Sequence, residues 1–157
     1  MEKEVREQRI ENREYSGECM AFQIIEILDS QTETILVKAL HHSNEVPVSI
    51  RGVKSHDILA GQSIQGEVGF DEILDWKVVS EFEDGQSGIW HAQDGVHLLG
   101  RVHSILDYGD GRIVIDVYIQ NGPELFTVNL NATEEEAPDA NDGLEIIVKK
   151  LFLFPVS

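Results

Sequence analysis

VHLLGRVHSILDYGDGRIVIDVYIQNGPELFTVNL, residues 96–130, is the stretch that decides the fold, because an earlier part of the chain is written on the same plan. Displaced by 78 positions, Ile27-Leu28-Asp29 falls on Ile105-Leu106-Asp107. Without a gap, Ile35-Leu36-Val37-Lys38-Ala39-Leu40 falls on Ile113-Val114-Ile115-Asp116-Val117-Tyr118. Five of these six positions are apolar or aromatic in both copies, and the one charged position coincides. Val48-Ser49-Ile50 falls on Phe126-Thr127-Val128 at the same displacement.

Inside each copy apolar residues alternate with polar ones, the period of a strand with one face in a core. In the first copy Met20, Phe22, Ile24 and Leu28 predict one strand. Ile35, Val37 and Ala39 predict a second, and Val46, Val48 and Ile50 a third. Pro47 has no N–H, which places it at an edge or a bulge. Ile64 to Phe70 predict a fourth strand, bent at Gly66 and Gly69, and Ile73 to Val79 a closing run. In the second copy Leu98 to Leu106, Ile113 to Ile119 and Phe126 to Leu130 repeat the meander, and Leu144 to Val156 supplies one or two closing strands. Asp107-Tyr108-Gly109-Asp110-Gly111 and Asn121-Gly122 are hairpin turns, since these residues accept positive φ.

The expected fold is all-β: two tandem small barrels, SH3-like or OB-type, packed together. The first covers residues 18–79 and the second 96–157, joined by an acidic, glycine-containing linker over 80–95 in which Ile89-Trp90 can form a short extra strand. Residues 1–17 read as a charged N-terminal arm or short exposed helix. The outer faces carry Ile25, Ile27, Leu36, Leu40, Leu99, Ile105, Val114 and Tyr118, so burial of one barrel against its twin is expected, with Lys38 and Asp116 near that interface. Trp76 shares its parity with Leu74 and Val78 and is expected in the core.

The formal net charge is −17, from 29 acids and 12 bases. Residues 18–157 hold 24 of the acids and 8 of the bases. Such a surface repels nucleic acid and anionic membrane and attracts a basic protein surface. Cys19 stands alone, which excludes an internal disulfide and a cysteine-based zinc site. The N-terminus has no apolar targeting stretch, so a cytoplasmic location is the expectation.

Few residues suggest chemistry. His97, Arg101 and His103 share a strand face, but Leu99 interrupts them, no carboxylate is expected on that face and Arg101 would repel a metal. They read as a surface row, and His41-His42 as turn residues. The acidic loop Glu134 to Asp142 does not fit an EF-hand, which needs glycine at its sixth position and glutamate at its twelfth. Cys19 has no adjacent base for nucleophilic catalysis. There is no phosphate-binding glycine loop, nucleophile elbow or zinc-protease motif.

The leading expectation is therefore a non-enzymatic acidic protein-binding module without cofactor or metal. Its most concrete form is an immunity or inhibitor protein that masks a basic site on a toxin or nuclease. The contact residues would be Glu81, Glu83, Asp84, Trp90, Glu134, Glu135, Glu136, Asp139 and Asp142. The alternatives are an adaptor or structural subunit of a larger complex, a ligand- or nucleic-acid-binding tandem barrel, and an enzyme with a diffuse site.

Overall fold

The computed structural model describes residues 19–53, 57–83, 85–121, 124–139 and 141–156. The expected N-terminal arm, Asp84 and Gly122 lie outside them. Among the described residues nine strands carry the fold. They are β1 (Cys19–Gln31), β2 (Thr34–His41), β3 (Asn44–Arg51), β4 (Ser63–Val79), β5 (Gly88–Ala92), β6 (Gly95–Asp107), β7 (Arg112–Asn121), β8 (Glu124–Thr133) and β9 (Gly143–Pro155). The alternation predicted for the meanders is the alternation that is buried: Ile35, Val37 and Ala39 on β2, Ile113, Ile115, Val117 and Ile119 on β7, Phe126, Val128 and Leu130 on β8. Two-residue connections join β1 to β2 and β2 to β3, as Gln31 faces Thr34 and His41 faces Asn44, and Asn121 of β7 faces Glu124 of β8.

The strands form one sheet in the order β3-β2-β1-β4-β9-β6-β7-β8, with β5 paired to β6. A parallel pairing of Ser49 with Phe152 and Ile50 with Leu153 joins β3 to β9 and closes β1, β2, β3, β9 and β4 into a five-stranded barrel. Pro47 lies on β3 just before that pairing and faces Lys38 of β2 on its other side. β4 and β9 are long, at 17 and 13 residues, and each works in two places. The first part of β4 pairs with β1 and with the end of β9. Its second part pairs with the start of β9, and that start also pairs with β6.

This arrangement differs from two barrels joined by a linker. The runs 64–70 and 73–79 are one strand, and so is 144–155. Residues of both halves, from Met20 and Phe22 to Val128 and Leu130, share one buried cluster with Leu144, Ile146, Val148, Leu151 and Leu153 of β9. A strand of 13 residues reaches about 43 Å at ~3.3 Å per residue, far beyond the span of one small barrel. Gly66 does more than permit a bend: a Cβ there would collide with the Phe154 carbonyl and lie 2.9 Å from the Pro155 Cα, so only glycine lets β9 approach β4 at this point.

The displacement of 78 holds for part of one hairpin and fails at a second slip, between Ile27 and Asp29, that the β6–β7 ladder lacks. Ile24 faces Ala39, the register slips, and Glu26 faces Lys38; Val102 faces Val117, the register slips, and Ser104 faces Asp116. Both ladders thus bulge at the same place, at Ile25 and His103. The third strands differ: Val37 faces Val48, but Ile115 faces Leu130 rather than Phe126.

Beyond these bulges β1 and β6 leave the shared sheet, since β1 meets β4 only as far as Gln23 and β6 meets β9 only as far as Arg101. Ile25, Ile27 and Ile105 consequently stay exposed, and Leu36, Leu40, Leu99, Val114 and Tyr118 are only half-buried, instead of packing on a twin barrel. Lys38 pairs with Glu26 at 3.8 Å, and Asp116 accepts a hydrogen bond from the Ser104 hydroxyl at 2.9 Å, so each meets its own cross-strand neighbour. A register slip between Ile73 and Asp75 also breaks the parity around Trp76. Trp76 is half-buried against the core, while Leu74 and Val78 face solvent.

A core shared through β4 and β9 should melt as one unit. Calorimetry is expected to show a single transition, and Ile146→Ala is expected to lower its midpoint by about 2–5 kcal/mol of stability without splitting it. Two resolved transitions would contradict a shared core.

Candidate functional site

The tip of the β2–β3 hairpin meets the first residue of β8. Strand alternation turns His41, the last residue of β2, into the core, where it is 1% exposed. His42 follows in the two-residue turn with φ of 56°, a left-handed conformation in which histidine is found more often than most residues. Glu124, at the start of β8, arrives from the other half of the chain. The Ala21 N–H of β1 donates to its Oε2 at 2.6 Å and fixes the carboxylate. The Nε2 of His42 lies 3.3 Å from Glu124 Oε1, and the Nε2 of His41 lies 3.8 Å from Oε2. The second distance is too long for a hydrogen bond. His41 Nε2 is fully buried and has no hydrogen-bond partner. Its ring is wedged between Phe22, at 5.1 Å, and the edge-on His42, at 4.5 Å.

Burial pushes the His41 pKa down to about 4, against the smaller opposing attraction of Glu124. His41 is therefore neutral at neutral pH and can offer a lone pair. The three donor atoms, one from each of His41, His42 and Glu124, lie within 4.8 Å of one another. The sequence signals the histidine pair but not its third member, which is close only because two hairpin tips touch.

His97, Arg101 and His103 do not act as a row. His97 is held between two carboxylates: Nδ1 is 2.7 Å from Glu145 Oε2 on β9 and Nε2 is 2.6 Å from Asp94 Oδ1 in the β5–β6 turn. Trp90 stacks on the ring at 5.2 Å, and Lys77 lies 3.7 Å from the far side of Glu145. Burial alone would depress the His97 pKa, but the hydrogen bonds to Asp94 and Glu145 outweigh it and the pKa rises. The hydrogen bond from His97 in turn lowers the Asp94 pKa. With both nitrogens facing carboxylates, the ring is an imidazolium clamp. The slip at residue 103 turns His103 away, onto the Tyr118 ring at 4.0 Å, and the Arg101 guanidinium sits 5.3 Å over Phe82. Contrary to the expectation from the sequence, two carboxylates join His97: Asp94 from the turn immediately before β6 and Glu145 from β9.

The acidic residues of the two loops fall at two places along β6: Glu81, Glu83, Asp139 and Asp142 near the start of β9, and Glu134 beside Gly111 at the β6–β7 turn. The ring of Phe82 lies over Gly143, where any Cβ would strike it, so Glu81 and Glu83 flank the start of β9. The other loop begins with a 3-10 turn, Glu134–Glu136, whose Thr133 and Glu136 form a capping box. It returns through Asp139 and Asp142, which close a turn on each other, and the Asp142 carbonyl accepts from Val102 N–H at 3.0 Å on β6. Glu81, Glu83, Glu134, Glu135, Glu136 and Asp139 are exposed, and Asp142 is half-buried. Trp90 is half-buried and lies further along the sheet, facing His97. Cys19 is a buried strand residue of β1.

Among the described residues no helix is long and apolar enough to cross a membrane. No protein-family model matches the chain, and no curated protein matches its sequence.

The His97 clamp has a pH signature. Its folded pKa is raised above the ordinary 6.5, so its contribution is complete below pH 6.5 and is lost as pH rises through the folded value. The urea midpoint of the wild type is expected to fall as pH is raised from 6.5, and His97→Gln is expected to start lower and lose that slope. Equal slopes in the two proteins would remove the clamp from the stability of the fold.

Proposed function

We propose that this protein is a non-enzymatic acidic binding module that docks on a basic protein surface, most concretely an immunity- or inhibitor-type protein masking a cationic site on a toxin or nuclease. The single observation that carries the reading is the meeting of two acidic loops at the start of β9, one holding Glu81 and Glu83 and the other Asp139 and Asp142, with Glu134, Glu135 and Glu136 exposed further along the second loop. They come from two loops joined at the Phe82–Gly143 contact and the Asp142–Val102 hydrogen bond. Carboxylates held together on a stable sheet edge raise local potential far more than the same charges dispersed, and so speed encounter with a cationic partner. The net charge of −17 disfavours nucleic acid as that partner.

The barrel order supports the OB type over the SH3-like one. A three-strand meander is followed by β4, and the fifth strand, β9, enters between β3 and β4 and lies parallel to β3. The shared register of the two bulged hairpins supports a duplicated four-strand unit in which each copy lends its last strand to the other. An adaptor or structural subunit is the second reading, favoured by the exposed Ile25, Ile27 and Leu28 on β1 and Ile105 and Leu106 on β6, since apolar side chains on strand edges invite pairing.

The test is capture of a basic protein from the native cell extract on the immobilised chain, as ionic strength rises from about 0.05 to about 0.5 M. The expected partner is released by salt, and the triple variant E134K/E135K/E136K fails to retain it. Retention that resists both salt and charge reversal, but is lost with Ile27→Ser and Leu106→Ser, would replace docking through charge with the adaptor reading.

A further inference from the structure

We propose that His41, His42 and Glu124 form a binding site for one divalent first-row transition-metal ion, with zinc as the ion of choice, stapling the β2–β3 tip to the start of β8. The proposal is independent of the docking reading: it concerns the opposite chemistry, imidazole nitrogen and an oriented carboxylate, at the junction of the two halves.

The donor set suits such an ion. Two imidazoles and a carboxylate are the ligands of open zinc sites, which hold three protein groups and leave a fourth position to water or another ligand. Zinc–ligand bonds of about 2.0–2.2 Å in a tetrahedron place ligand atoms about 3.4 Å apart. His42 Nε2 and Glu124 Oε1 are 3.3 Å apart, and His41 Nε2 and Glu124 Oε2 are 3.8 Å apart. Small side-chain rotations bring all three into a coordination sphere.

Three features separate this cluster from an accidental one. The Nε2 of His41 is buried, aimed at Glu124 and without a hydrogen-bond partner, an unusual position for a polar atom unless something occupies the space before it. Glu124 is already oriented, because Ala21 N–H holds Oε2 at 2.6 Å and leaves Oε1 toward His42, the kind of outer hydrogen bond that positions a ligating carboxylate. The three donor atoms, one from each residue, lie within 4.8 Å of one another, close enough for a single ion to reach them all. Entry is from the His42 side, where the side chain is 51% exposed and the fourth coordination position would face solvent. Calcium and magnesium are disfavoured, as they take oxygen ligands.

The experiment is calorimetric titration of the full chain, stripped with chelator, with zinc chloride, accompanied by thermal melting with and without the metal. One equivalent is expected to bind, with a rise in the melting temperature that magnesium and calcium do not reproduce. His42→Ala, on a half-exposed turn side chain whose loss leaves the core intact, and Glu124→Gln are each expected to weaken binding at least tenfold and to abolish the rise. His103→Ala, outside the cluster, is expected to bind as the wild type does. Absence of saturable zinc binding would overturn the proposal. So would unchanged affinity in His42→Ala, or loss of binding in His103→Ala alone.

Discussion

The antiparallel ladder between β4 and β9 is the interaction on which the rest of the molecule depends. It runs from Gly66–Pro155 to Val79–Gly143 and reaches both the closed barrel and the β6–β8 sheet. Each of the two strands has one half in each environment, so neither half of the protein holds a complete set of strands by itself. The side chains that β9 contributes, Leu144, Ile146 and Val148 in one half and Leu151 and Leu153 in the other, tie the two apolar interiors into one. A small barrel of ~60 residues buries a modest fraction of its surface, and fusing two interiors raises that fraction.

The same ladder explains where the chemistry-bearing residues lie. By joining the halves along β4 and β9 it lays β1 against the region of β8, so that Ala21 can hold Glu124 and the β2–β3 tip can present His41 and His42 to the same carboxylate. It also brings Glu145 of β9 beside His97 of β6, turning a histidine that looks unaccompanied along its own strand into the centre of an ion cluster. Both histidine sites take a carboxylate from a distant strand, although His97 also holds the local Asp94. They differ in electrostatics for a plain reason. His97 faces two carboxylates at hydrogen-bond distance and is held charged, whereas His41 has lost water without gaining a close partner and is held neutral.

Particular elements show where reading the chain works and where it stops. The meander strands are legible because Ile35-Val37-Ala39 and Ile113-Ile115-Val117 each carry the period of two that one-sided burial imposes. The tight hairpins are legible from their turn residues. Leu74 is misplaced because a register slip at residue 74, which has no compositional mark, puts it out of step with Trp76, the residue that does pack against the core. The outer-face isoleucines are misassigned for a related reason. Ile25 and Ile105 look like interface residues if the strands stay in a closed wall, but the bulges beside them carry β1 and β6 out of it. The acidic loops are plain in the sequence as charge; their meeting at Phe82 and Gly143 is not, since it depends on a ring resting where a glycine leaves room.

What the amino-acid sequence determined alone is the all-β class, the two similar meanders, the turns between their strands and the acidic character of the surface. These are local or additive properties: alternation, turn chemistry and charge are carried by neighbouring residues and need no knowledge of the rest of the chain. Tertiary structure alone decided that the halves share β4 and β9, that β1, β2, β3, β9 and β4 close into a barrel, and that His41, His42 and Glu124 stand together. Backbone hydrogen bonds choose strand partners without regard to side-chain identity along the strand, so such choices leave no period in the chain. They are settled only when all the edges compete for partners in one folded sheet.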